Sequence, residues 1–336
     1  MNGTCVAPWD DNSTADFLVV ARVGFSSDIH LLTDKILANP LRRLEKSCGD
    51  IAYENGKPVC IQAAIMRRVV YKGMLHNAVV GGMLARLKGS SPVSLLGVMK
   101  GTLLPRADST IFLSNTACEA SMKMNKMLGV RTSGPESCSQ QRLQPIHWVR
   151  FAWYMFVHKV FKRQNLGGVW KGHRNEFGEE FADFWRRYSD SVSGFYSSRT
   201  VEELRWAFSE EKYVVLTCGV GQIDGYIVLK TDATGNRWSI ADWIAIGNDE
   251  QLLDELLIKA KKFLRARTHA ILFMTTGYPT FVQPLLARHF RYLRPLANNE
   301  YLYRFEDGAL AKAARKELDA RESWFFGAYD GDACLF

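Results

Sequence analysis

The chain has 336 residues, more than one ordinary domain, so two domains are the first expectation. Hydrophobic residues make up 47% of it and aromatic residues 12%, a composition that can bury a large core and that excludes an intrinsically disordered chain. Lys and Arg number 43 against 35 Asp and Glu, which gives a net charge of +8. The amino terminus lacks the basic and apolar regions of a secretion signal, and no apolar run is long enough to span a bilayer. We therefore expect a cytoplasmic protein that is at most peripheral to a membrane.

The cysteines favour reduced thiols over a disulfide framework or a zinc site. They are odd in number and scattered, and no two of them have C-x-x-C spacing. We expect no metal. The seven positions are Cys5, Cys48, Cys60, Cys118, Cys138, Cys218 and Cys334.

In chain order, the first elements predict a mixture of strands and helices. Residues 18–23 predict a short apolar strand, and residues 31–44 predict a helical stretch interrupted at Pro40. Asn55 and Gly56 stand between two strand-like runs, which is the strongest short-range signal of a hairpin.

The next strand is predicted at residues 75–84, and it contains Gly81 and Gly82. Paired glycines within a strand indicate a bulge or the close approach of another group. A helix follows, in which Gly97 and Gly101 lie four residues apart on one face. Close packing of that face on the sheet is the simplest explanation.

The turn between this strand and this helix has the properties of an anion site. Gly89 allows a close approach of the backbone, Ser91 is a good N-cap, and Pro92 suits the first helical position. The first N–H groups of the helix and the positive end of its dipole would face outward here. Arg86 and Lys88 flank that end, so the turn is suited to a pyrophosphate.

The order of elements is that of a known superfamily. Residues 110–115 predict a buried strand, and residues 118–128 predict a helix that ends at Gly129. Strand, phosphate turn, helix, strand and helix in this order resemble the GNAT superfamily of acyl-coenzyme A dependent N-acyltransferases, over residues 16–131. A weaker version of the layout returns over residues 201–336. The resemblance implies an α/β fold with α+β mixed sheets, in which two tandem GNAT-like domains each have a mostly antiparallel central sheet flanked by helices.

The resemblance also implies acetyl-CoA or another acyl-CoA as co-substrate. In the superfamily, the pantetheine arm meets the exposed edge of the strand before the phosphate turn, and the turn holds the pyrophosphate. The cofactor-binding residues so implied are Met83, Leu84 and Ala85 on the strand edge, and Arg86, Lys88, Gly89, Ser90 and Ser91 at the turn.

The chain departs from the superfamily pattern at two positions. The second small residue of the turn, commonly Gly or Ala, is Ser91. Many members have a Tyr four residues before the Gly that ends the later helix, and it protonates the leaving thiolate; here that residue is Asn125, which cannot supply a proton at useful pH. Because a thiol has a pKa of about 8.5, the thiolate is a tolerable leaving group and water can protonate it.

Three residues are predicted to be catalytic. An ammonium acceptor needs a base, for which His76 and Glu54 are the candidates in the first half, and we choose His76. Asn115 follows the strand after the turn and would orient the acyl carbonyl or the pantetheine, because strand ends in such sheets face the ligand crevice. Asp242 interrupts an apolar strand, where a carboxylate is costly unless it is paired or used.

The second half repeats the layout without the phosphate chemistry. Its predicted elements are strands at residues 213–220, 222–230, 238–246 and 269–274, and helices at residues 250–265 and 280–289. After the third of these strands comes Gly247-Asn248-Asp249-Glu250, whose two carboxylates stabilise the helix dipole and repel a phosphate. We therefore expect that the second half has lost coenzyme binding.

The predicted domains are residues 1–135, with the acyl-CoA site, and residues 201–336, with a degenerate CoA loop. A basic, aromatic, helical connector over residues 136–200 joins them, and residues 137–175 contain no acidic residue. Within it, residues 146–163 predict a helix with one polar stripe on an apolar circumference. Two interpretations stay open: a helix buried between the domains, or a helix in peripheral contact with an anionic membrane.

The resemblance implies an acyltransferase that moves an acyl group, most simply acetyl, from acyl-CoA to an amine by direct attack in a ternary complex. The expected acceptor is a small molecule or a cell-envelope precursor, with no specific nucleic acid, and the oligomeric state is open. Two alternatives remain. One is a related enzyme that transfers aminoacyl groups from tRNA to cell-wall precursors, and the other is a non-catalytic GNAT-derived scaffold at the membrane surface.

Overall fold

The computed structural model describes residues 3–25, 29–44, 47–103, 111–114, 119–132, 139–141, 169–170, 177–231, 237–265, 271–273, 283–289, 292–295 and 302–305, with residues 312 and 315. Asn115 and the predicted helix at residues 146–163 lie outside these residues.

The chain contains both strands and helices, as the sequence predicts. The strands are β1 (Thr4–Pro8), β2 (Gly49–Glu54), β3 (Lys57–Tyr71), β4 (Met74–Arg86), β5 (Ile111–Ser114), β6 (Arg131–Thr132), β7 (Ser139–Gln141), β8 (Val169–Trp170), β9 (Phe195–Ser197), β10 (Tyr213–Cys218), β11 (Gly225–Thr231), β12 (Arg237–Ala245), β13 (Ile271–Phe273), β14 (Tyr292–Pro295) and β15 (Leu302–Phe305). The α-helices are α1 (Thr14–Gly24), α2 (Ile29–Leu37), α3 (Pro92–Leu103), α4 (Glu119–Met127), α5 (Glu179–Ser191), α6 (Val201–Ala207), α7 (Glu250–Arg265) and α8 (Gln283–His289). Of the helices in the described ranges, none combines the length and the apolar character needed to cross a membrane.

Two larger sheets organise the chain. The first has the strand order β1-β2-β3-β4-β5-β15-β6, and β9 also pairs with β3. Its neighbours are antiparallel except β4 and β5, which run parallel. The second sheet has the order β13-β12-β11-β10-β8, with β12 and β13 parallel. These mixed sheets, flanked by helices, confirm the predicted fold class.

Local signals in the sequence place several elements correctly. Asn55 and Gly56 have positive φ angles of 52° and 76° and join β2 to β3 in the predicted hairpin. Gly129 has a φ of 82° after the end of α4, as expected of a left-handed residue that ends a helix. The predicted helix at residues 250–265 agrees with α7 in both bounds.

The prediction of a strand at residues 18–23 is wrong, because these residues lie in α1. Phe17, Val20 and Ala21 are fully buried on one helix face, whereas Val19 and Val23 are 50% and 68% exposed. A short apolar run does not distinguish a strand from a helix by its periodicity. Only the sheet beneath α1 shows which of these side chains are covered.

Sheet pairing crosses the predicted domain boundaries. β15, close to the carboxyl end, lies between β5 and β6 of the first sheet, with Leu302 opposite Ser114 on one side and opposite Thr132 on the other. β7 of the predicted connector pairs with β14 of the last part. β9, also of the connector, extends the first sheet along Val69–Tyr71 of β3. The division into residues 1–135, 136–200 and 201–336 stays a prediction, but a strand of its last part completes the sheet of its first part.

The two halves are also joined by buried contacts. One hydrophobic cluster contains residues of both, among them Trp9 and Tyr226. The buried Lys35 Nζ of α2 donates to the carbonyl oxygen of Ala207 at 2.7 Å and to Glu210 at 2.9 Å. In return, the indole N–H of Trp206 donates to the carbonyl oxygen of Lys35 at 2.7 Å. Burial and reciprocal hydrogen bonds thus hold α2 against the segment after α6.

The position of β15 predicts that a single backbone change near the carboxyl end weakens the first sheet. Tyr303 pairs with Leu113 and with Arg131, so Tyr303→Pro removes a ladder N–H from an inner strand. We expect the free energy of unfolding to fall by about 2 to 3 kcal/mol, measured by denaturant titration. Tyr303→Val keeps the N–H and is the control. Equal stability of the two variants would contradict this placement of β15.

Candidate functional site

The first sheet opens where β4 leaves β5. Their parallel pairing consists of Ala78 with Ile111, Val79 with Phe112 and Val80 with Leu113. β4 then continues to Arg86, and in the described part of the chain no strand pairs with that stretch on the β5 side. Most of this stretch is nevertheless buried. The described residues therefore leave a row of backbone donors and acceptors without strand partners along this opening, which we call the cleft.

A bulge interrupts β4 within this open stretch. Ala63 pairs with Gly82 and Ile61 with Ala85, so Gln62 alone faces both Met83 and Leu84. Met83 has a φ of 47°, in the left-handed region, which costs roughly 1 to 2 kcal/mol for a residue with a side chain. The bulge confirms what Gly81 and Gly82 predict. It removes backbone groups of the strand from the regular ladder with β3.

The turn after β4 leads into α3 as predicted. The helix begins at Pro92, and the hydroxyl oxygen of Ser91 accepts a hydrogen bond from the amide of Val93 at 3.1 Å. Gly89 is exposed and has a φ of 89°, and the space where a Cβ would stand is open. Further along α3, a Cβ on Gly97 would meet Val6 of β1 at 2.7 Å, so packing on the sheet explains this glycine.

Two amide groups of the turn have no acceptor among the described residues. The amide of Leu87 donates to the carbonyl oxygen of Val59 at 2.9 Å, and that of Ser90 donates to the carbonyl oxygen of Leu87 at 3.3 Å. The amides of Lys88 and Gly89 make no such bond to any residue that the structure describes. The side chains of Arg86 and Lys88 are exposed beside them. These donors and cations form a small electropositive surface, with the positive end of α3 behind it.

A third amide of the same turn, that of Ser91, donates a hydrogen bond to a carboxylate. Glu54 Oε1, at the end of β2, accepts from the Ser91 amide at 2.8 Å and from the Ser94 hydroxyl at 2.5 Å. It caps α3, and it also brings a negative charge to the place where an anion would bind. From the sequence, Glu54 is a candidate only for a base. Its contact with Ser91, 37 residues further along the chain, has no local sequence signal.

His76 lies at the other end of β4. It pairs with Val69 of β3. His76 precedes Met83 by seven residues, which corresponds to about 23 Å along a strand. A general base has to lie within hydrogen-bonding distance of the proton it takes, directly or through one water. His76 is therefore too far along the strand to serve an amine at the bulge.

Asp242 is paired inside the second half. Asp242 is 1% exposed. Its carboxylate accepts hydrogen bonds from Arg199 Nε at 2.9 Å and from Arg199 Nη2 at 3.0 Å, so the pair is bidentate. The Tyr226 hydroxyl donates to it at 2.6 Å. A buried carboxylate is expected to be either paired or used in function, and these contacts are those of a paired one. The contacts join the segment before α6 to β11 and β12.

Cys60 and Asn125 restrict the chemistry available near the cleft. Burial raises the pKa of the Cys60 thiol to about 12, so it remains protonated and is a poor nucleophile. Asn125 is 2% exposed, and its Nδ2 donates back to the Ser121 carbonyl at 3.0 Å. Neither side chain suits a covalent intermediate or proton donation.

The corresponding turn of the second half is closed. The Gly247 amide donates to the Ser191 hydroxyl at 2.9 Å, and Asp249 Oδ1 accepts from the amides of Gln251 at 2.7 Å and Leu252 at 3.1 Å. The helix start is therefore capped by its own carboxylate. The loss of coenzyme binding by the second half stays a prediction.

Comparisons with known proteins find similarity in structure alone. No protein-family model matches the sequence, and no curated protein matches it. A probable N-acyltransferase from Enterococcus faecalis is similar with a TM-score of 0.60 and 10% identity, over 91% of this chain and 73% of that one. A putative acetyltransferase from Pyrococcus horikoshii has a TM-score of 0.58 and 10% identity, over 98% and 96% of the two chains. The chain has the GNAT fold.

A third solved structure extends this likeness. Saccharomyces cerevisiae N-myristoyltransferase, solved with bound myristoyl-CoA and inhibitors, has a TM-score of 0.54 and 12% identity over 90% of this chain and 81% of that one. At such identities only the fold is established.

The pairing of Asp242 predicts a loss of stability on its removal. Asp242→Ala takes the carboxylate from a buried Arg199, so we expect the free energy of unfolding to fall by about 3 kcal/mol or more, measured by denaturant titration. The double variant Arg199→Met, Asp242→Leu removes both charges and should recover most of that loss. A wild-type stability of Asp242→Ala would refute the structural role.

Proposed function

We propose that the protein is an N-acyltransferase that takes an acyl group from acyl-CoA. One observation carries this proposal: the open, bulged edge of β4 leads directly into a turn with two unbonded amides and two exposed cations. The edge suits an extended amide chain, and the turn suits a diphosphate. Coenzyme A joins these two chemical parts in that order.

The residues present fit such a donor. The amides of Lys88 and Gly89 and the side chains of Arg86 and Lys88 would bind the diphosphate. Backbone groups of Met83 to Ala85 would bind the pantetheine arm, and an N–H turned outward at the bulge would polarise the thioester carbonyl. Ser90 and Ser91 keep the turn in shape, since their own amides are bonded within the protein.

The reaction we propose is direct attack of a neutral amine on the thioester carbonyl. A C–N bond forms, the C–S bond breaks, the amine nitrogen releases one proton to solvent, and the departing thiolate takes one proton from solvent. The protonated Cys60 thiol and the inward-turned Asn125 support this route over one through an acyl-enzyme. Binding both reactants in one cleft, with a fixed donor for the developing oxyanion, would supply most of the rate.

The acyl group and the acceptor are proposed in class only. Acetyl is the smallest donor consistent with the fold, and the acceptor is an amine on a small molecule or a cell-envelope precursor. The closed turn of the second half supports a role in acceptor contacts and in completing the first sheet. Contacts with a membrane would involve residues 146–163, which lie outside the described part.

Calorimetric titration of coenzyme A into the wild type and Gly89→Glu tests the donor site. The wild type should bind, and the variant should lose binding by about tenfold or more, because a carboxylate would stand among the amides that receive the diphosphate.

Gly221→Glu is a matched control. Gly221 has a φ of 73°, and its Cβ position is also open, so the backbone strain and the charge change are the same at a distant exposed turn. If both variants bind coenzyme A as the wild type does, the site is misplaced. A wild type that does not bind would favour the non-catalytic scaffold.

Glu54→Gln tests the charge at the turn. Glutamine still accepts a hydrogen bond from the Ser91 amide but carries no charge, so we expect coenzyme A to bind about three- to tenfold more tightly. Glu211→Gln makes the same change in net charge at an exposed residue of the second half and should leave the affinity unchanged. Weaker binding to Glu54→Gln would show that the cap matters more than the charge.

A further inference from the structure

Two buried carboxamides of the first half have oxygens without a hydrogen-bond partner. Gln62 Oε1 and Asn125 Oδ1 are inaccessible to solvent and accept no bond within the described residues. Gln62 is only 5% exposed, so its carbonyl oxygen is buried without a hydrogen-bond donor among the described residues. A buried polar group left in this state costs about 1 to 3 kcal/mol, and folded proteins contain few of them.

The position of Gln62 connects it with the cleft. It pairs with Asp50 of β2, whose carboxylate accepts from the Thr102 hydroxyl of α3 at 3.1 Å, so Gln62 lies on the sheet face that α3 covers. A Cβ on Gly81 would come within 3.0 Å of Gln62 Nε2. Gly81 is the first residue of β4 beyond the pairing with β5. The amide of Gln62 thus lies at the root of the opening between these strands, opposite the bulge.

Asn125 approaches the same sheet face from α4. It lies one helical turn after Met122, which packs in a cluster with Ala64 of β3 and Phe112 of β5. Because the Nδ2 atom of Asn125 donates to Ser121, the end left without a partner is the carbonyl oxygen. Two acceptors without donors are therefore present on the face covered by α3 and α4.

We infer that Gln62 and Asn125 are positioning residues for the pantetheine arm, an inference that rests on the proposed function. The arm contains two secondary amides, each with an N–H donor and a carbonyl acceptor. A carboxamide complements such a group at both ends. Binding would satisfy the two oxygens, so their cost in the free protein would be recovered as affinity for the donor. The flexible Gln62 side chain can turn its amide from Gly81 toward the arm.

Packing alone is the competing explanation, and the two make different predictions for Gln62→Met. Methionine has the same length without polar atoms, so the melting temperature of the free protein should stay the same or rise in either case. If Gln62 holds the arm, affinity for coenzyme A should fall by about tenfold. Affinity for 3′-phospho-ADP, which has the diphosphate but no arm, should not change.

The experiment is calorimetric titration of both ligands into the wild type, Gln62→Met and Asn125→Leu, with the exposed Gln251→Met as control. Weaker binding of coenzyme A alone, in either cleft variant, supports the inference. Unchanged binding of coenzyme A in both variants, or an equal loss for both ligands, overturns it. A wild type that binds neither ligand refutes the proposed function and this inference with it. Binding to the wild type with no effect of the variants refutes only the inference.

Discussion

The site depends on one feature of the backbone, a buried strand edge with which no strand of the described ranges pairs. Beyond Val80, β4 keeps its ladder with β3 but loses β5. Backbone amides and carbonyls in a buried setting require partners, so this edge is either covered by chain or reserved for a ligand. The bulge at Met83 lies on the same stretch of strand. The amides of Lys88 and Gly89, which have no acceptor among the described residues, follow in the turn after it. Together they support the proposed binding of an extended molecule with an anionic end.

The turn after β4 contains groups of both charges. Arg86, Lys88 and the dipole of α3 attract an anion, while Glu54 offsets part of that field by binding the Ser91 amide. Two unit charges about 6 Å apart interact by roughly 1 to 3 kcal/mol near a protein surface, enough to change affinity severalfold without abolishing it. A capping carboxylate therefore stabilises the empty turn and moderates its attraction for phosphate.

The two halves depend on each other. β15 completes the sheet that holds the cleft, Lys35 is buried against the segment after α6, and the Arg199–Asp242 pair fixes the chain that leads into the second half. In the second half, the Ser191 hydroxyl and the Asp249 carboxylate accept hydrogen bonds from amides of the corresponding turn. One half thus keeps an open turn, and the other contributes a strand and a buried surface.

The sequence by itself determined what short-range chemistry controls: the hairpin at Asn55-Gly56, the helix start at Ser91-Pro92, and a strand that bulges after its paired glycines. These depend on φ preferences and capping within a few residues. Only the tertiary structure decided which face of residues 18–23 is covered, which carboxylate reaches Ser91, that Asp242 is paired with Arg199, and that β15 joins the first sheet. Each of these contacts joins residues far apart in the chain, and the free energy that selects them comes from burial and pairing that no local pattern records.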